Sequence, residues 1–395
     1  MRATTHRRNR PGPTWPSEDK SDPIIENDAR CLQYQDMIQE DAPDAPEPGT
    51  VENLGSVLLV GNPTSRSGKA ALRIETAREI LLKHGIVHEF RPTLPNAGTV
   101  DMVARAVTQE GFKTVIYLGG DGTFNEVAKG ICKAGKSSHV QLGMLPSGTA
   151  NDQGKSFGIS GVKNALEKNV ETIKAGHTTR LDVGEITAYY DGGTAMARDL
   201  FFDSMGCGLS AAILAFRNRE KDIVKKMPIW REMYRDQAVY VRAAVHKLAI
   251  NWITRDRFSA EIVVDGRVHQ FDSLSDLVIS NTLLYAGEWI IDTKARHNDG
   301  MFEIVPFAGT RDWTSKLIVH HKKNPLTEDL LNKIGVSHTP NLKGKHIQVQ
   351  ILRPNKDKRL PAQLDGDEFP QSDHFEVVVH PKLLKIIVPK DHHWI

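Results

Sequence analysis

Long apolar runs are absent from this 395-residue chain: it holds no stretch of about 18 such residues, so a bilayer-spanning helix is not expected. Cysteine is scarce. Cys31, Cys132 and Cys207 are odd in number, far apart, and lack both metal-ligand spacing and a disulfide framework, which fits a reducing compartment. Charge of one sign is missing too, because 51 Lys and Arg meet 49 Asp and Glu for a formal net charge of +2, too little to argue for nucleic acid. Arg2, Arg7, Arg8 and Arg10 are followed by Pro, Ser and acids rather than an apolar segment, so no secretory signal is expected there. Residues 1–53, with RPGPTWPSEDKSDP and EDAPDAPEPGT, are poor in aliphatic side chains, and a disordered tail outside the fold is expected.

What is present begins at residue 54. The run SVLLV (56–60) reads as a buried strand, and GKAALRIETAREILLKHG (68–85) sets Leu72, Ile80 and Leu81 at helical spacing before Gly85. The alternation recurs through IVHEF, TVDMVARAVTQEG, TVIYL, FNEVAKGICKAG and VQLGMLP. Strands alternating with helices in this way predict right-handed crossovers and a parallel sheet, hence an α/β, Rossmann-like domain over 54–176. Beyond it, RLDVGEITAYY, RFSAEIVVDGRVHQF, SDLVISNTLLYAG, GMFEIVPFAG, KHIQVQILR and HFEVVVHP predict a largely antiparallel, β-sandwich-like domain over 177–395. Its last strands have the option of returning to the first domain. A chain of 44.0 kDa accommodates two such cores.

The segment VIYLGGDGTFNEVAKGI (115–131) puts a carboxylate in a bare glycine turn at the mouth of a helix. It fails the dinucleotide fingerprint, because counting from Gly120 gives Gly122 and then Asn125; GNPTSRSGKA fails the P-loop pattern, with too long a gap from Gly61 to Gly68 and Ala70 in place of Ser or Thr. The chemistry still suits phosphate: Gly119, Gly120 and Gly122 let the backbone adopt positive φ and approach a ligand, and a helix start offers free N–H groups. Asp121 would repel that phosphate unless a cation lies between them, and Mg²⁺ with triphosphate oxygens fits a hard carboxylate ligand. The competing reading is a helix cap in a tight turn. A second such turn, LPSGTANDQG (145–154), ends the next strand, and two turns at the carboxyl ends of parallel strands face one crevice.

NPTSRSGK, GGDGTFNEV, LPSGTAND, RLDVGEI, FFDSMGCGLSAAI, ISNTLLYAG, ARHNDGMFEIV and LDGDEF, in this order, resemble the diacylglycerol kinase catalytic family of lipid kinases across residues 54–390. The resemblance implies ATP contacts at Asn62, Pro63, Thr64, Ser65, Arg66, Thr93, Gly120, Asp121, Gly122, Thr123, Phe124, Asn125, Glu126 and Thr149. It implies that Asp121, Asp152 and Asp182 organise catalytic Mg²⁺, that a second, structural Mg²⁺ is held by the Asp299 side chain with the carbonyls of Arg296 and Met301, and that Asp365 is the general base. Against this, Asp182 and Asp299 also read as plain turn residues, and Asp365 with Asp367 as a hairpin turn. Asp367 stands where the family has Glu, Ser210 where an Asp is common, and Glu288 with Trp289 where glycine is usual.

The activity this resemblance implies is transfer of the γ-phosphoryl of ATP to a lipid hydroxyl, with diacylglycerol giving phosphatidic acid as the leading case. A sphingoid base, ceramide or another lipid alcohol is the alternative acceptor; an NAD kinase-like enzyme and a non-catalytic nucleotide- or lipid-binding protein are the alternatives from other classes. The expected partners are ATP and a lipid at a membrane surface, with no nucleic acid and a homodimer left open. The expected place is the cytoplasm with peripheral membrane association. The basic, aromatic segment 218–252 suits anionic headgroups, but a helix packed on its own domain explains it more simply.

Overall fold

The computed structural model describes residues 53–63, 69–135, 137, 139–148, 150–225, 257–282, 284–285, 289–290, 295–308, 312, 339–352 and 359–390. The N-terminal tail through residue 52, the basic stretch 226–256, and Thr64, Ser65, Arg66, Thr149 and Glu288 lie outside them.

Four parallel strands open the fold: β1 (Val57–Gly61), β2 (His88–Pro92), β3 (Thr114–Gly119) and β4 (Gln141–Pro146), in the order β2-β1-β3-β4. β1, β3 and β4 are buried almost throughout, as strands covered on both faces must be. Because side chains alternate along a strand, Leu58, Val60, Val115 and Tyr117 enter one core with helices α2 (Gly98–Thr108) and α3 (Asp121–Lys133). Val57, Leu59, Ile116 and Leu118 enter another with α1 (Lys69–Lys83) and the later helix Leu166–Ala175.

The sheet does not stop at β4. The 14-residue strand His374–Ile387 lies parallel to β4 through Lys385 and Ile386, and antiparallel to β5 (Thr178–Tyr189), which pairs with β6 (Ala195–Phe201). The register shifts between His380 and Leu384, where Lys382 takes a positive φ of 55°. Before this bulge Phe375, Val377 and Val379 join the β-rich core; after it Leu384, Ile386 and Val388 join the core of the parallel sheet. His346–Leu352, Phe258–Val264 and Arg267–Leu274 extend the same sheet to ten strands.

A separate six-stranded antiparallel sheet holds β7 (Ser204–Gly208) between Asp276–Ser280 and the short strand Ala362–Leu364, with Phe302–Phe307, Leu342–Gly344 and Asp367–Phe369 completing it. Phe201, Met205, Phe258, Leu277, Phe302, Ile347 and Phe375 from both sheets fill one core, the sandwich-like arrangement expected from the sequence. The α/β class with a mostly parallel N-terminal sheet is likewise as the sequence suggests. Where the two layers differ is in continuity: one sheet runs through the parallel strands into the antiparallel ones.

Candidate functional site

The two glycine turns touch. A Cβ added at Gly148 would stand 2.5 Å from the Gly120 Cα, so the SGT turn presses backbone to backbone on the GGD turn. Ser147 N donates to Gly119 O at 2.6 Å, and Asn151, at a positive φ of 54°, closes its own turn by accepting from Gly148 N at 2.7 Å. Only residues without a Cβ permit this approach.

Helix α3 is capped by Gly120 with no side-chain bond, so Asp121 is not the cap of its own helix. Its Oδ2 instead accepts Asn151 N at 2.9 Å across the contact, while Oδ1 is buried without a hydrogen-bond partner. Burial pushes the Asp121 pKa up, and the amides of Asn151, Gln153 and Asp152 oppose the rise. An ion at Oδ1 would satisfy that orphaned oxygen, so the residues present fit Mg²⁺ here. Among the described residues no three acidic, His or Cys side chains converge closely enough to hold a metal. The ion's shell would therefore depend on phosphate and water, as is usual for Mg²⁺.

Beside this contact lies a cavity of about 430 Å³ lined by Asn62, Thr93, Ala97, Val100, Gly122, Thr123, Asn125, Glu126, Lys129 and Asp367. Six of the residues assigned to ATP by resemblance thus share one wall. Phe124 faces the other way, fully buried between Tyr117 and Phe202 with ring centroids 5.5 and 5.7 Å away, because helical spacing turns it into the core. Pro63, just beyond β1, does not line the cavity. Lys129 does, and the sequence carried a signal for it: 122, 125, 126 and 129 follow the spacing of a single helix face.

Asp365 and Gly366 take φ of 47° and 84°, the two positive angles of a type I′ hairpin between Leu364 and Asp367. The hairpin reading of the Asp-Gly pair is therefore correct as geometry, and the carboxylate does more than shape the turn. Its Oδ2 accepts Phe202 N at 2.9 Å, and its Oδ1 accepts Asp203 N at 2.8 Å and Ser204 N at 3.0 Å. Burial pushes its pKa up to about 6 against the pull of these amides and of Lys129. Asp203, buried at the same turn, has its pKa driven well up by burial and then by the charges of Asp152 and Asp365, with Asp121 further off. The Thr282 hydroxyl donates to Asp203 Oδ1. Asp203 was not foreseen; nothing in FFDSMGCG marks its acid as different from a surface residue. Asp121, Asp152, Asp203 and Asp365 come from four separate segments and lie in each other's field.

Asp182 sits elsewhere. It is fully buried, its Oδ1 accepting Lys382 N and its Oδ2 accepting Gly300 N, both at 2.6 Å. Burial pushes its pKa up to about 6, with Asp299 adding to the rise. It ties the NDG loop to the bulge after His380 and does not line the cavity. Asp299 Oδ1 accepts Met301 N at 3.1 Å, a turn bond, and its Oδ2 accepts the Lys343 ammonium at 2.7 Å; Lys343 also reaches buried Glu303 at 2.6 Å. Arg296 opens the same turn, its guanidinium donating to Ala295 O at 3.0 Å. An ammonium therefore already lies on the carboxylate assigned to a second ion.

Acid-bearing helix starts at the carboxyl ends of parallel strands lie near an amide-held aspartate on a second sheet, an arrangement compatible with binding phosphate through a cation. Residues 56–186 match the family model of the diacylglycerol kinase catalytic domain. The chain is 32% identical over 132 residues to a diacylglycerol kinase of Staphylococcus aureus (strain bovine RF122 / ET3-1), and 31% identical over 133 residues to that of strain JH9. Each alignment covers 33% of this chain and 40% of the relative, so the chain spans well under half the length of the curated relatives it matches. A putative diacylglycerol kinase from Bacillus anthracis str. Sterne shares the fold with a TM-score of 0.58 at 17% identity, over 86% of this chain and 98% of that one. The family-model match is confined to residues 56–186.

Proposed function

We propose that the protein is an ATP-dependent lipid kinase that transfers a γ-phosphoryl group to a lipid hydroxyl, with diacylglycerol as the leading acceptor and phosphatidic acid as its product. The observation that carries the reading is the placing of Asp365: a carboxylate on three backbone amides, at a hairpin whose Asp367 lines the same cavity as the glycine-turn helix. In this reading Asn62, Thr93, Asn125 and Glu126 bind the nucleoside, and the amides at the start of α3 meet the phosphates. Asp121, with Asp152 near it, would hold Mg²⁺, which when bound offsets phosphate charge. Asp365 takes the proton of the acceptor hydroxyl as that oxygen attacks the terminal phosphorus, and ADP leaves. A pKa of about 6 leaves it mostly ionised at neutral pH yet a better base than an ordinary carboxylate. The lipid would come from a membrane surface that the protein visits from the cytoplasm.

The test is incubation of the full chain with labelled ATP, Mg²⁺ and a panel of lipid alcohols in mixed micelles. Chloroform-soluble label on dioleoylglycerol is the expected result. Label only on a sphingoid base or ceramide would change the acceptor, and label only on NAD would overturn the lipid reading.

A further inference from the structure

The cavity wall contains a cation that the phosphoryl-transfer reading leaves without a role. Helix α3 carries Asp121 at its first residue and Lys129 about two turns later. Helical side chains lean toward the N-terminus, so Lys129 reaches back along the face that Asn125 and Glu126 give to the cavity. There its ammonium meets Asp199 Oδ2 at 2.7 Å, the two side chains being 20% and 34% exposed. Asp199 is itself fixed, its Oδ1 accepting Leu200 N at 2.8 Å.

Asp199 stands on β6, which ends at Phe201. The amides that cradle Asp365 follow at once, at Phe202, Asp203 and Ser204. One stretch of chain therefore carries both the partner of Lys129 and the cradle of the proposed base. We propose that the Lys129–Asp199 pair is a positioning device: it fastens the end of β6 to the donor-binding helix and so sets the Asp365 carboxylate at its working distance from the phosphates. The inference rests on the kinase reading above and adds a residue to it. A displacement of about 1 Å at a reacting group costs up to roughly a hundredfold in rate, so such a fastening has kinetic weight.

Lys129 also acts on Asp365 by charge. The charges around that carboxyl are Lys129 from α3 and Asp203 from the turn after β6, on which Asp152 and Asp121 also act; Asp367 follows on the same hairpin. Lys129 opposes the upward push that burial gives to both Asp365 and Asp367, whereas Asp199 adds to the push on Asp367. Lys129 therefore bears on the proposed base itself, and the two members of the pair bear with opposite sign on Asp367 of the same hairpin.

The experiment measures kcat, KM for ATP and the pH dependence of kcat between about pH 5 and 8 for the wild type, Lys129→Met, Lys129→Arg and Asp199→Asn, on the lipid alcohol the wild type phosphorylates best. Lys129→Met is expected to lower kcat by roughly tenfold or more and to move the acid limb to higher pH, because Asp365 then ionises later. Lys129→Arg is expected to restore most of the rate and return the limb. Asp199→Asn is expected to lower kcat with KM for ATP within about twofold and no upward move of the limb. Should Lys129→Met fail to fold by circular dichroism, the Asp199→Asn split of kcat from KM decides the matter. Wild-type kcat and limb in Lys129→Met, a change confined to KM for ATP, or the same limb shift in both variants would each overturn the proposal while leaving the kinase reading intact. A wild type that phosphorylates no lipid alcohol would overturn both.

Discussion

Asp365→Asn isolates proton removal from architecture. An Asn tolerates the positive φ that this hairpin position needs, and its Oδ1 can keep the amides of Asp203 and Ser204. The third amide, Phe202 N, would face an NH₂ group instead of Oδ2. One unsatisfied donor costs about 1–3 kcal/mol, which in a domain of this size lowers Tm by roughly 2–10 °C. The variant should therefore fold and still bind nucleotide. Loss of a general base costs about 10² to 10⁴ in kcat, far beyond what the stability change produces. The assay is single-turnover transfer from labelled ATP, read beside nucleotide binding by fluorescence and Tm by differential scanning. The wild-type rate should rise through about pH 6, where Asp365 ionises, and the variant should lose that limb. A variant rate within about threefold of wild type, with the limb in place, would remove Asp365 from the chemistry.

Other consequences concern the supporting residues. Gly148→Ala puts a Cβ against the Gly120 backbone at 2.5 Å and Asn151 Oδ1 at 2.8 Å, so nucleotide binding should fall with a stability loss of about 1–3 kcal/mol, read by titration and Tm. Lys343→Met strips the ammonium from Asp299 and from Glu303, whose side chain is 2% exposed, and should cost about 3–5 kcal/mol. That variant's Tm should rise with millimolar Mg²⁺ while the wild type, without nucleotide, ignores EDTA; an equal response to chelator in both would show that Lys343 does not serve as the loop's cation. Asp182, at about 6 when folded against an ordinary 3.8, binds its proton more tightly in the native state. Its contribution to stability is greatest below the unfolded value and is lost as pH rises through about 6, a difference of about 3 kcal/mol. Unfolding midpoints should accordingly fall between about pH 4 and 6 in the wild type, level off above that, and fall less steeply in Asp182→Asn.

The parts of this site that were legible in the sequence are those whose chemistry is local. The Asp-Gly hairpin at 365–366 and the helical spacing after residue 121 each constrain a few neighbouring residues and appear as read, whereas Gly119, Gly120 and Gly122 do not take the positive φ expected of them, Gly120 standing at −96°. Phe124 shows the limit: a motif match places it among nucleotide contacts, whereas the helix period sends it into the core between Tyr117 and Phe202. Asp203, and the ion pair that Lys129 makes, were illegible for another reason. Their roles depend on partners far away in the chain, Thr282 for one and Asp199 for the other, and nothing in either neighbourhood encodes that distance.

Asn281 explains why those distances can be held. Its side-chain amide donates to Asp182 O at 2.6 Å and to Phe202 O at 2.8 Å, and its backbone N donates to Asp203 O at 2.8 Å. One fully buried residue of ISNT thus binds β5 to the turn that holds Asp365, and the adjoining Thr282 binds Asp203 itself. Buried amides of this kind tolerate little displacement, because each unmade bond leaves a polar group dry. The turn that cradles Asp365 is therefore tied from two sides: from the second sheet by Asn281 and Thr282, and from α3 by the Lys129–Asp199 pair on the strand that leads into it. Under the proposed kinase mechanism such bracing would serve phosphoryl transfer, whose rate depends chiefly on positioning.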